Sequence, residues 1–170
     1  DVKTRDDGTY NILTTQKLYH FDTDFNVLDF YYSSYLKAFD TTSDNGYIIV
    51  GGGGFDWGNM ITKLNSEMDQ VWYTAFAGDE FDDTAANGWF SDVQESPLGG
   101  FVVTGRYYSN PSFSTNGQEL VLSQFDDDGN QEWLTTFGAE YDERGVNLSI
   151  NNNGDIFALG IIPSFDGSEL

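Results

Sequence analysis

The chain has 170 residues, 39% of them apolar and 16% aromatic, with 28 acidic against 7 basic side chains, a formal charge of −21 and no cysteine. That length suits one domain or part of one, and that aromatic content supports a packed core rather than disorder. The charge argues against nucleic acid and anionic membranes as partners, the missing thiols exclude disulfides, thiolate zinc sites and Cys nucleophiles, and no stretch approaches the ~20 apolar residues of a membrane span.

Short apolar runs bounded by turn residues follow one another along the chain, and each reads as a buried strand. After Gly8 comes "TYNIL" from Thr9, then "QKLYHFD" from Gln16, the polar turn "TDFN", "VLDFYY" from Val27 and "YLKAFD" from Tyr35. Gly46 then introduces "YIIV" from Tyr47, followed by the long loop "GGGGFDWGN", "MITKLN" from Met60, "SEMDQ", "VWYTAF" from Val71, the acidic "AGDEFDD" and "GWFSDVQ" from Gly88. Gly100 introduces "FVVT", the loop "GRYYSNPSFSTNGQ", "ELVLSQFD" from Glu119, "DDGNQ", "EWLTTF" from Glu132, "GAEYDER" and "GVNLSI" from Gly145. Gly154 introduces "DIFAL" from Asp155.

The runs repeat. The last two intervals between turn glycines are both 54 residues and the first is 38, because "LTTQKLY" joins its strands without a long loop. A unit of about four strands is too small to bury its own faces, and four strands in a period of ~40–55 residues is the pattern of a β-propeller blade. The expected fold is all-β: one segment, 1–170, forming a partial propeller ring of about three and a half four-stranded antiparallel blades. The units fall at approximately 1–34, 35–86, 87–144 and 145–170, the last truncated. The turn glycines are expected to supply φ > 0 in hairpins, Gly105 and Gly160 to end their strands, and Gly51–Gly54 to leave a crowded channel.

Candidate chemistry is sparse. "DDDGN" from Asp126 resembles an EF-hand loop, but with Gly129 as its glycine the first and twelfth ligands become Gln124 and Thr135, so it reads as a hairpin turn. Asp79, Glu80, Asp82 and Asp83, with Glu140 and Asp142, are the densest carboxylates, and Ca²⁺ is the cation they could gather. His20, the one histidine, lacks the company a triad or metal site needs. Phe55 and Trp57 in one long loop, and Tyr107, Tyr108 and Phe113 in the next, form a candidate aromatic platform for a sugar or partner side chain.

"DNGYIIVGG" (Asp44–Gly52), "TKLN" (Thr62–Asn65), "DDGNQEW" (Asp127–Trp133) and "FAGDEFDD" (Phe76–Asp83) together resemble the β-propeller repeats of bacterial secreted and cell-surface proteins, and the double Gly is similar to kelch repeats. In the first unit Phe30 lies near the place of the expected Trp. The resemblance implies a propeller and an extracellular or outer-surface location, and carries no shared catalytic residues. The chain begins at Asp1 and is read as an excised or processed piece. The expected function is a non-enzymatic binding or scaffolding module mediating protein–protein interaction in a surface assembly. The alternative is carbohydrate binding through the loop aromatics, with a glycoside hydrolase third.

Overall fold

The computed structural model describes residues 1–52, 59–76, 88–108, 118–138 and 143–162, and these form strands and turns with no helix. β1 (Val2–Thr4), β2 (Tyr10–Leu13), β3 (Lys17–Phe21) and β4 (Val27–Tyr32) make sheet 1. β5 (Leu36–Thr41), β6 (Tyr47–Gly51), β7 (Asn59–Leu64) and β8 (Gln70–Phe76) make sheet 2. Sheet 3 contains β9 (Gly88–Glu95), β10 (Phe101–Tyr108), β11 (Gln118–Phe125) and β12 (Gln131–Phe137), and sheet 4 pairs β13 (Arg144–Ile150) with β14 (Ile156–Ile161). Strands pair antiparallel in chain order within each sheet. The sheets meet through β2 against β5, β5 and β6 against β9, and β9 and β10 against β13.

This layering explains why the second strands are apolar throughout rather than alternating. Both faces of β6 are covered. Ile48 and Val50 join Phe90, Val93, Phe101 and Val103 in one core, between sheets 2 and 3. Tyr47 and Ile49, on the other face, join Leu13, Leu18 and Phe39 in a second core, between sheets 1 and 2. The last strand of each sheet is the wet one: β4 and β12 are largely exposed.

One hairpin design is used throughout. In the turn from Thr42 to Gly46, Thr42 N donates to Gly46 O, Asn45 N donates to Thr42 O, and Asn45 takes a left-handed φ of 65°. The same pair of bonds closes 5–9, 22–26, 65–69, 96–100, 126–130 and 151–155, with Gly8, Phe25, Met68, Gly99, Gly129 and Gly154 left-handed at the fourth place. Gly46 therefore differs from expectation: its φ is not left-handed, and Asn45 does that work. Gly46 is glycine because a Cβ there would lie 2.3 Å from Leu64 O.

Gly105 also corrects the sequence reading. It does not end its strand; β10 continues to Tyr108. It sits at a bulge, pairing with Phe90 while Thr104 pairs with Asp92. A Cβ on Gly105 would lie 1.9 Å from Trp89 O. Gly51 and Gly160 occupy the same register against Leu36 and Gly145. The closing Gly of each recurrent phrase thus marks a bulge, where the first strand crowds the second.

Side chains at one register position clasp each sheet to the next. Lys3 Nζ reaches Asp40 Oδ1 at 2.5 Å, Asp40 Oδ2 accepts from Glu95 N at 3.4 Å, and Gln94 Oε1 accepts from Ile150 N at 2.7 Å. Further out, Trp72 of β8 donates its indole N–H to Asp127 O (2.8 Å) and Thr74 donates its hydroxyl to Gly129 O (2.9 Å), tying sheet 2 to a sheet 3 turn. Register places Trp72 opposite Lys63, Trp133 opposite Gln124 and Asp29 opposite His20, so Asp29 rather than Phe30 occupies the Trp place in sheet 1.

Candidate binding surfaces

The residues singled out in the sequence are only partly visible. Tyr107 lies in β10, opposite Glu119, and its ring packs half-buried against the core between sheets 2 and 3. Tyr108 ends β10, paired with Gln118. Phe55, Trp57, Phe113, Asp79, Glu80, Asp82, Asp83, Glu140 and Asp142 lie outside the described residues. Among the described residues no three His, Asp or Glu side chains gather in a way that could hold a metal ion.

The Asp126 carboxylate is occupied by its own turn. Oδ1 accepts from Asp128 N and Asn130 N at 3.0 and 2.8 Å, and Oδ2 from the Asn130 side chain at 2.9 Å. The Asn130 side-chain bond, followed by its backbone bond, holds this carboxyl below its usual range. Asp22 repeats the arrangement with Asn26. His20 Nε2 lies 3.0 Å from Thr9 Oγ1, and burial with the nearby Arg5 charge lowers its pKa.

Two polar clefts open between the inner hairpin turns. The larger, about 460 Å³, lies among Ser43, Glu95, Ser96, Asp127 and Asn151. Its carboxylates are engaged in structure: Glu95 accepts from Ser43 N (2.7 Å) and Ser43 Oγ (2.8 Å), and Asp127 accepts from Gly100 N (3.1 Å). The second, about 380 Å³, lies among Arg5, Asp6, Asp7, Thr42 and Asn45, where Arg5 donates to Tyr47 OH and Asn45 O.

Asp92 is a half-buried carboxylate. It accepts from Val93 N, Leu148 N and the Asn147 amide at 2.8–2.9 Å, yet desolvation outweighs these bonds and raises its pKa. Its contacts make it a seam between sheets 3 and 4.

A third cleft, about 270 Å³, has a different character. Tyr31, Ser33, Ser34, Tyr35, Gln70 and Tyr73 surround it, and among the described residues no charged side chain lines it. The sequence reading placed these tyrosines only in strand runs. They come from β4, the link into β5, and β8, and the packing of sheet 1 on sheet 2 brings them together. Nothing local in the sequence signals that meeting.

Sheet 4 has exposed apolar side chains. Phe157 and Leu159 are 61% and 63% exposed, and Ile161 and Val146 are also exposed. At the opposite end, sheet 1 presents an aromatic ladder. Tyr19 lies against Phe21 and Phe30 at 5.7 and 6.0 Å, with Lys17 Nζ 4.2 Å from the Phe30 ring centroid.

No family model and no curated protein matches this sequence. Its architecture is shared with a solved protein of unknown function from Bacteroides caccae, at 13% identity and a TM-score of 0.61 over 98% of this chain and 56% of that one. A structure described as a eukaryotic initiation factor aligns at 9% identity and a TM-score of 0.41, over 93% of this chain and 47% of that one. The chain thus spans about half the length of these solved structures.

Proposed function

We propose that the sheets are blades of a β-propeller arc, and that the chain is a non-enzymatic binding or scaffolding module of an exported or cell-surface bacterial protein, acting through protein–protein contact. The observation that carries this reading is a seam of one design repeated between successive sheets. Ile48 and Val50 of β6 are fully buried against sheet 3. Val102 and Thr104 of β10 are equally buried, and Thr104 Oγ1 lies where a Cβ on Gly145 of sheet 4 would fall. Phe157 and Leu159 hold the same strand places in β14. A face that is covered in the same way at two successive seams is a surface built for contact with further protein.

The exported setting rests on the sequence resemblance alone. Against a hydrolase, the carboxylates of the inner strands are committed to seams: Asp40 to Lys3 and Glu95 N, and Asp92 to Leu148 N and Asn147. The test places a photo-reactive residue at Leu134, exposed on the last strand of sheet 3, in the source cell. Cross-linking to one protein, whose binding to the purified chain is lost on Leu134→Glu, supports the reading. Glycoside hydrolysis by the purified chain that disappears in Asp92→Asn would overturn it.

A further inference from the structure

We infer that the cleft between sheets 1 and 2 is a binding site for a neutral saccharide, with Tyr35, Tyr73 and Tyr31 as its walls. This goes beyond the protein-binding reading and stands on separate observations. Tyr35 is the first. It holds a left-handed φ of 62° although its side chain is large, and the residue is 53% exposed. Such a backbone persists in a bulky residue only where its surroundings impose it. Here Ser33 N donates to Gln16 O, Leu36 N to Thr15 O and Gly52 N to Tyr35 O, each at 3.0 Å. Three backbone bonds fix this link with Tyr35 half exposed at the wall of the cleft.

The chemistry of the walls gives the ligand class. Among the described residues, none of the three rings stacks on another aromatic ring. Tyr31 is anchored against the core between sheets 1 and 2, while Tyr73 is 42% exposed. Aromatic faces carry negative quadrupole potential and attract the weakly positive C–H faces of a pyranose ring. Around them stand groups that both donate and accept: the hydroxyls of Ser33, Ser34 and the tyrosines, and the Gln70 amide. The Tyr31 hydroxyl, 3.5 Å from Gln70 Oε1, leaves the amide nitrogen of Gln70 to donate outward. Vicinal sugar hydroxyls use donors and acceptors together. A proline-rich peptide offers mainly carbonyl acceptors and would leave half of this set idle. Among the described residues no cation lines the cleft, and the chain carries a charge of −21, so an acidic sugar is disfavoured.

The experiment uses the full chain and isothermal titration with neutral hexasaccharides of glucose, xylose and mannose, an oligogalacturonate, and a deca-proline peptide. Binding of at least one neutral hexasaccharide is expected, reduced at least tenfold by Tyr73→Ala and by Tyr35→Asn. Asn tolerates the left-handed backbone, so Tyr35→Asn is expected to keep or raise the melting temperature while losing the sugar. A structural role for Tyr35 would not produce that split. The proposal falls if no neutral hexasaccharide binds at millimolar concentration, if binding survives both substitutions, or if the oligogalacturonate or deca-proline binds more tightly.

Discussion

The contact between Trp72 and Gly129 joins two sheets through one indole ring, and it can be measured by a double-mutant cycle. A Cβ on Gly129 would lie 2.8 Å from Trp72 Cε3 and 2.9 Å from Cδ2, and the residue has φ +83°. Gly129→Ala therefore carries a left-handed backbone cost of about 1–2 kcal/mol and an overpacking cost of about 1–3 kcal/mol. Truncating a fully buried Trp costs about 3–5 kcal/mol. Trp72 is half-buried, so Trp72→Ala should cost roughly 2 kcal/mol in packing and about 1 kcal/mol for the lost bond to Asp127 O. In the double variant the Ala methyl enters space the indole has vacated, and only the backbone cost of the glycine change remains. The two changes should thus be less damaging together than their sum, by about 1–3 kcal/mol. Urea denaturation of all four proteins, followed by far-UV circular dichroism, supplies the cycle. Additivity within about 0.5 kcal/mol would refute the claim that these residues share one packed seam.

Two glycines at the same place in the repeat should respond differently. Gly105→Ala puts a Cβ against backbone, 1.9 Å from Trp89 O, and should cost about 3 kcal/mol or more; Gly160→Ala meets chiefly the movable Leu120 Cδ1 at 2.7 Å and should cost about 1 kcal/mol or less in the same denaturation assay. Asp44 feels burial that raises its pKa, but bonds from Lys63, Thr42 and Gly46 N outweigh it and bring it to about 2. Its unfolded value is about 3.9, so its contribution is complete above that pH and is lost as the pH falls toward 2. Lys63→Met should lower the melting temperature at pH 7 and change it progressively less as the pH falls toward 2, flattening the profile across that interval. Asp92 has the opposite sign: its folded pKa is raised by burial, so its charged form opposes folding at neutral pH and protonation relieves it. Asp92→Asn should therefore raise the melting temperature at pH 7 more than at pH 4; an equal change at both would show that the carboxylate charge is not the cause.

The strand runs were readable because each is a continuous apolar stretch closed by a turn, a pattern that survives when both sheet faces are covered. β1 escaped notice because "VKT" has one apolar residue and is a strand only through its pairing with β2. Turn chemistry was read one residue late at Gly46, since Asn45 also tolerates φ > 0, and Phe25 and Met68 adopt it without being glycine or asparagine. Gly105 looked like a terminator because the sequence does not show which first-strand carbonyl presses on it. The same limit hid the tyrosine cleft. Tyr31, Tyr35 and Tyr73 are ordinary strand and link residues until two sheets meet, and the left-handed backbone of Tyr35 follows from bonds to Thr15, Gln16 and Gly52 in other segments.

The clasps from Asp40 to Glu95 N and from Gln94 to Ile150 N use one side chain and one main-chain amide. The reaching side chain and the receiving amide are adjacent residues of a single strand. Copying that strand copies both halves of the joint. A gene that duplicated such a module would bring both halves of this joint with it, so modules of this kind can be added in evolution without a new contact having to arise, whereas the Lys3–Asp40 ion pair ties sheet 1 on by a chemistry of its own.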